Sequence, residues 1–145
     1  MTRKEKAVDL FKQQFNCSQA VFAAFRQADR LDEETALKLA TVFGAGVACT
    51  GSGLCGAVSG ALMALSMKHG RGSLKSVEAK ARTYELGQRF MSEFKQENGS
   101  CVCEQILGFN IGTPENLERA RAMRLFETRC LEVVNSAATI LEAML

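Results

Sequence analysis

The 145 residues predict an all-α fold, a single multi-helix domain over 1–145. Three observations carry that expectation. Breakers are nearly absent, with Pro114 the only proline. Helix-start residues recur ahead of apolar segments at Thr2, Asn16, Asp32, Ser73 and Thr113. Apolar residues return at spacings of three and four, and nowhere alternate as a half-buried strand requires. Apolar residues make up 47% and charged residues 23%, enough to build a core and a soluble surface.

Taken in order, Thr2 and Glu5 form a capping-box pattern, and Val8, Phe11 and Phe15 share the face that follows. Asn16 with Gln19 repeats the pattern and opens a helix through Val21, Phe22 and Phe25. Asp32 caps a third, with Ala36, Leu39, Ala40 and Phe43 as its inner face. Gly44, Gly46, Gly51 and Gly53 then mark a glycine-rich loop. A fourth helix runs from about Cys55 to Gly70 and is apolar on nearly all sides, the pattern of a buried central helix. Within it Gly56 and Gly60 lie among Ala57, Ala61 and Ala64, which points to close approach of another helix. Ser73 is the expected cap of a long amphipathic helix to about Asn98, with Val77, Ala81, Tyr84, Met91 and Phe94 inward and Gly99 as its stop. A short helix covers Cys101–Leu107, with Ser100 as its cap and Gly108 after it. Thr113-Pro114 opens the last helical stretch, whose buried stripe is Val134, Ala137, Leu141 and Met144. One helix or two fit residues 114–145 equally well.

Several function classes are disfavoured at once. A net charge of +2 does not suit a nucleic-acid partner, and a lone tyrosine makes no base-stacking platform. The charged start Thr2-Arg3-Lys4-Glu5-Lys6 is unlike an export signal. The longest apolar stretch, about Leu54 to Met67, is too short to span a bilayer and is closed by Lys68 and His69. A cytoplasmic protein without a membrane partner is expected. Gly51-Ser52-Gly53-Leu54-Cys55-Gly56 spells G-x-G-x-x-G, but a dinucleotide site needs a strand before that loop, and none is predicted. His69 reads as a partner for the C-terminal end of its helix. The arginines and glutamates between Glu115 and Glu132 read as a solvated face.

Six cysteines are the compositional outlier. A thiol at a helix N-terminus faces free N–H groups and a positive dipole end, which favour the thiolate. Cys55 holds such a position after the glycine loop. Cys17 follows the Asn16 cap, and Cys101 and Cys103 fall in the first turn of the short helix. Cys130 stands beside Arg129, whose guanidinium would favour a thiolate if both face the same way. No C-x-x-C occurs, so zinc spacings are missing, yet Cys101-x-Cys103 or Cys49 with Cys55 could supply sulfur to a metal ion or an iron–sulfur cluster.

The segments Asn16-Cys17-Ser18-Gln19-Ala20, Cys55-Gly56-Ala57-Val58-Ser59-Gly60 and Cys103-Glu104-Gln105-Ile106-Leu107-Gly108, followed by Cys130, resemble the C-GCAxxG-C-C family over nearly the whole chain. The resemblance implies four family cysteines, Cys17, Cys55, Cys103 and Cys130, and a redox role inferred from them. Cys49 and Cys101 stand outside that set. It brings no substrate, mechanism or redox partner. The leading expectation is thiol–disulfide chemistry with Cys55 as the nucleophile and Cys17, Cys103 or Cys130 resolving. Metal or iron–sulfur binding by the same cysteines, with Cys49 and Cys101 as further ligands, is one alternative. A non-catalytic helical or oligomerisation module is another, and an apolar helix face leaves room for a homodimer.

Overall fold

The computed structural model describes all residues 1–145 and is all-α. Eight α-helices follow in order: α1 (Arg3–Lys12), α2 (Cys17–Phe25), α3 (Glu33–Ala40), α4 (Gly56–His69), α5 (Val77–Asn98), α6 (Cys103–Leu107), α7 (Pro114–Ala122) and α8 (Arg129–Met144). The only strand-like feature is one antiparallel bridge between Leu54 and Val102. No helix is long and apolar enough to cross a membrane.

Local chemistry sets most helix starts. Thr2 and Glu5 close a reciprocal capping box on α1, and Asn16 and Gln19 close a second on α2. Asp32 and Thr113 accept the N–H of Thr35 and Asn116 at the starts of α3 and α7. α1 stops at Lys12 because Gln14 turns left-handed at φ 79°, so Phe15 packs from the connecting turn rather than from the helix. Gly99, at φ 87°, ends α5, and Gly108, at φ 93°, ends α6.

The centre is shared by two helices rather than held by one. In α2, Ala20 through Phe25 are all buried, and in α4 Gly56 through Ala61 are. α2 packs on α1, α3, α4 and α8, while α4 packs on α2, α5 and α8. Their crossing depends on Gly60. A methyl group there would come within 2.6 Å of the Ser18 carbonyl and 3.1 Å of the Phe22 nitrogen. A second, smaller apolar cluster joins Cys103, Leu107, Ile111 and Ala120 below the glycine loop.

Three details differ from expectation, and one left open is settled. Leu39 is 53% exposed, because α3 buries only Ala36 and Ala40 and passes into a 3₁₀ turn at Thr41–Phe43. α5 begins at Val77 after Ser76, not under a Ser73 cap, and its buried face is Leu86, Phe90 and Phe94. Val77 and Tyr84 are 66% and 61% exposed, and Ala81 is exposed with them. The short helix starts at Cys103, so Cys101 precedes it, and Ser100 accepts the Val102 N–H instead of capping. Residues 114–145 resolve as two helices, parted by a turn in which Arg124 is left-handed at φ 57°.

Candidate functional site

The site is built where the starts of α2, α4 and α6 meet the glycine loop. Residues Ala45, Gly46, Val47, Ala48 and Cys49 run consecutively at φ 53°, 72°, 69°, 53° and 58°. This is a left-handed turn made largely of non-glycine residues, each costing about 1–2 kcal/mol. Its hydrogen bonds explain how it persists. Ala48 N–H donates to Val42 O at 2.6 Å, Gly51 N–H to Ala45 O at 3.0 Å and Gly53 N–H to Gly46 O at 2.9 Å. The Thr50 hydroxyl bonds the Gly46 and Val47 carbonyls, each at 2.8 Å. No strand precedes this G-x-G-x-x-G segment, so the dinucleotide reading fails on geometry.

The loop then ties α6 to α4. Cys103 N–H donates to Gly53 O at 3.0 Å, Glu104 N–H to Gly51 O at 2.9 Å, and Cys55 N–H to Cys101 O at 2.8 Å. Gly46 must be glycine here, since a Cβ would lie 2.8 Å from Cys103 Cβ and 2.7 Å from the Gly51 backbone.

All four family-pattern cysteines sit in the first turn or cap of a helix. Cys17 opens α2, Cys55 caps α4, Cys103 opens α6 and Cys130 is the second residue of α8. Cys17 and Cys55 belong to the main core, while Cys130 packs against the smaller cluster that contains Cys103. The sulfurs are close enough for Cys17 to raise the pKa of Cys55, Cys103 and Cys130 through its charge. All six cysteines are free thiols.

Their electrostatics are unequal. The Cys17 sulfur takes a hydrogen bond from the Cys55 thiol and further ones from the N–H groups of Ala45, Ser18 and Gly56. These outweigh the burial penalty and bring its pKa from the ordinary 9.0 down to about 7. Cys55 is pushed well above the ordinary range, by its hydrogen bond to Cys17, by burial and by the Cys17 charge. The start of α4 does stabilise a thiolate, but its first N–H serves Cys17. Cys55 receives only the N–H of Ala57. Gly56 makes this possible: a Cβ there would collide with Cys17 Sγ.

Burial drives Cys103 up to about 12 and raises Cys130 as well. Arg129 lowers Cys130 only in part, because its guanidinium is engaged with the Asn98 carbonyl at 2.8 Å and with Glu132 at 3.4 Å. Cys101 is buried and donates to Met91 O at 3.4 Å. Cys49 is the exposed cysteine, at the end of the left-handed turn. No group of three or more His, Cys, Asp or Glu side chains is placed to hold a metal ion.

Besides the cysteines, two kinds of group contribute to the site. The backbone N–H groups of Ala45 and Gly56 are site groups, yet alanine and glycine carry no chemistry of their own. Ser18 is the other. Its Oγ is fully buried without a hydrogen-bond partner, one residue from Cys17.

The fold and the site together define an all-helical protein organised around four cysteines at helix starts. Residues 15–144 match the family profile described as "Putative redox-active protein (C_GCAxxG_C_C)", and the chain belongs to that family. No curated protein and no solved structure matches it.

Proposed function

We propose that the protein is a cytoplasmic thiol–disulfide redox protein whose working couple is Cys17 and Cys55. One observation carries this reading: the Cys17 sulfur collects N–H groups from two helix starts and the loop, and the thiol of Cys55 beside them. A thiol with a pKa of about 7 is about half thiolate at neutral pH, against about a hundredth at a pKa of 9.0, and keeps its nucleophilicity. Six free thiols also suit a reducing compartment.

The exchange balances as follows. The Cys17 thiolate attacks one sulfur of a partner disulfide, forming a mixed disulfide and releasing the partner's other sulfur as thiolate. Cys55 gives up its proton, which the released thiolate takes. Cys55 sulfur then attacks Cys17 sulfur and frees the partner's second thiolate, which takes a proton from water. Two electrons pass from Cys17 and Cys55 to the partner. A dithiol reductant runs the sequence backwards. In this reading Cys103 and Cys130, held protonated by burial, are the next pair to take the disulfide.

The test is oxidation of the reduced protein by a small disulfide, followed by peptide mapping. A Cys17–Cys55 link is expected, with Cys55→Ser stalling as a mixed disulfide on Cys17 and Cys17→Ser failing to react. Absence of any intramolecular disulfide to Cys17, or stoichiometric metal in anaerobically purified protein, would overturn the reading.

A further inference from the structure

The long helix α5 has two apolar faces, and only one is covered. Leu86, Phe90 and Phe94 are buried against the core. The second face is Val77, Ala81 and Tyr84, with Gln88 continuing the series, while Met91 one turn on packs against the core. The spacing alternates four and three, which is the seam of a two-stranded coiled coil. Val77 and Tyr84 stand 66% and 61% exposed, Ala81 and Gln88 are exposed, and Met91 is half-buried. Leu74, in the turn just before the helix, is 85% exposed as well.

We propose that this face pairs with the same face of a second copy of the chain, α5 alongside α5 in parallel and in register. The charges select both the occupant and the direction. In a parallel pair, the residue before each seam position faces the partner residue five places later. Here that sets Lys80 against Glu85 of the other copy, and Glu85 against its Lys80. Both side chains are exposed and available. Lys80 lies over the Tyr84 ring at 5.7 Å, and Glu85 holds only a long contact to Arg82 at 3.8 Å. An antiparallel pair would instead face glutamate with glutamate along Glu78 and Glu85, and lysine with lysine at Lys80. Register follows from Gln88, which in parallel meets its own copy, so that the two amides bond each other. A polar pair at one seam position fixes alignment at some cost in stability.

The seam from Val77 to Gln88 spans about 17 Å at 1.5 Å per residue. Such a contact is smaller than the roughly 800 Å² per partner of a standard stable interface. The dimer is therefore concentration-dependent and not obligate.

Sedimentation velocity of fully reduced protein, from about 1 to 500 µM, reads this directly. Reduction removes any dimer made by an intermolecular disulfide at Cys49. A monomer–dimer equilibrium is expected. Tyr84→Lys should abolish it without loss of helical signal, since Tyr84 makes no core contact. Lys80→Glu and Glu85→Lys should each weaken it roughly tenfold, and the double reversal should restore it. A monomer at every concentration, a dimer indifferent to Tyr84→Lys, or single reversals that strengthen association would each overturn the proposal.

Discussion

Cys17 and Cys130 occupy nearly the same local position, the first turn of a helix, and end on opposite sides of the ordinary thiol range. At Cys17 the Cys55 thiol lowers the pKa most, joined by the N–H groups of Ala45, Ser18 and Gly56, from a loop and two helix starts. At Cys130 no comparable groups converge. Its own N–H is committed to Leu125 O at 2.9 Å, Thr128 makes no side-chain cap, and Arg129 is turned toward Asn98. Burial then decides, and it raises the pKa. A helix end contributes only about 0.3–1 kcal/mol, whereas full burial can shift a pKa by roughly 3–5 units. Activation at Cys17 therefore draws on a second thiol and several N–H groups around one sulfur, which one helix start does not supply.

Gly56→Ala is the most forceful way to break that contrast. The added methyl would strike Cys17 Sγ and lie 2.9 Å from the Ser18 nitrogen, at the crossing where neither helix has room to yield. We expect a loss of about 3 kcal/mol in urea unfolding and a rise in the pH midpoint of Cys17 alkylation. Gly60→Ala should cost a similar amount through the Ser18 carbonyl, but leave that midpoint nearer its native value in protein that still folds.

The next effect is a pH dependence. Cys17 has a lowered native pKa, so its stabilisation is fully present above the unfolded value of 9.0 and is lost as pH falls through about 7. Cys55, Cys101, Cys103 and Cys130 are raised, so above pH 9 they favour the unfolded chain, which ionises first. Reduced protein should gain about 1 kcal/mol between pH 7 and about 8.5, where the four raised thiols begin to offset Cys17, and lose stability beyond. Cys17→Ser should show no gain in that window. A wild-type curve that is flat there would place the low-pKa thiol elsewhere.

Most of the fold was legible because its start and stop signals are local. Thr2, Asn16, Asp32, Thr113 and Gly99 each act within a few residues of themselves. The inner face of α5 was misread because the stripe Val77, Ala81, Tyr84 is truly periodic. Periodicity marks an apolar face without saying what covers it. The cysteine positions at helix starts were legible too. The pull of Cys17 toward the thiolate was not, because its causes, the Cys55 thiol first and then the N–H groups of Ala45 and Gly56, are brought to it only by the tertiary fold. The left-handed turn was hidden for a related reason. Alanine and valine do not signal positive φ, and the hydrogen bonds that impose it reach from Val42 to Gly53.

That turn offers a smaller test. Ala48 is exposed at φ 53°, so glycine there removes strain without removing a buried contact. Ala48→Gly should stabilise the protein by about 1 kcal/mol in urea unfolding. If the turn serves chiefly to present the Ala45 N–H, the alkylation midpoint of Cys17 should stay near 7. A midpoint shift with Ala48→Gly would mean that the strain itself holds the N–H in place.

Ser18 gives the finest separation between backbone and side chain. Its N–H serves Cys17, while its hydroxyl is buried and unpartnered in the α2–α4 crossing. An orphaned buried hydroxyl carries a desolvation cost, and alanine removes the group without changing the backbone. Ser18→Ala should therefore be stabilising by about 0.5–1 kcal/mol, with the Cys17 midpoint unchanged. The pairing of these two readouts matters more than either alone. Loss of the low midpoint in a stably folded Ser18→Ala protein would show that the hydroxyl, rather than the converging N–H groups, distinguishes Cys17 from Cys130.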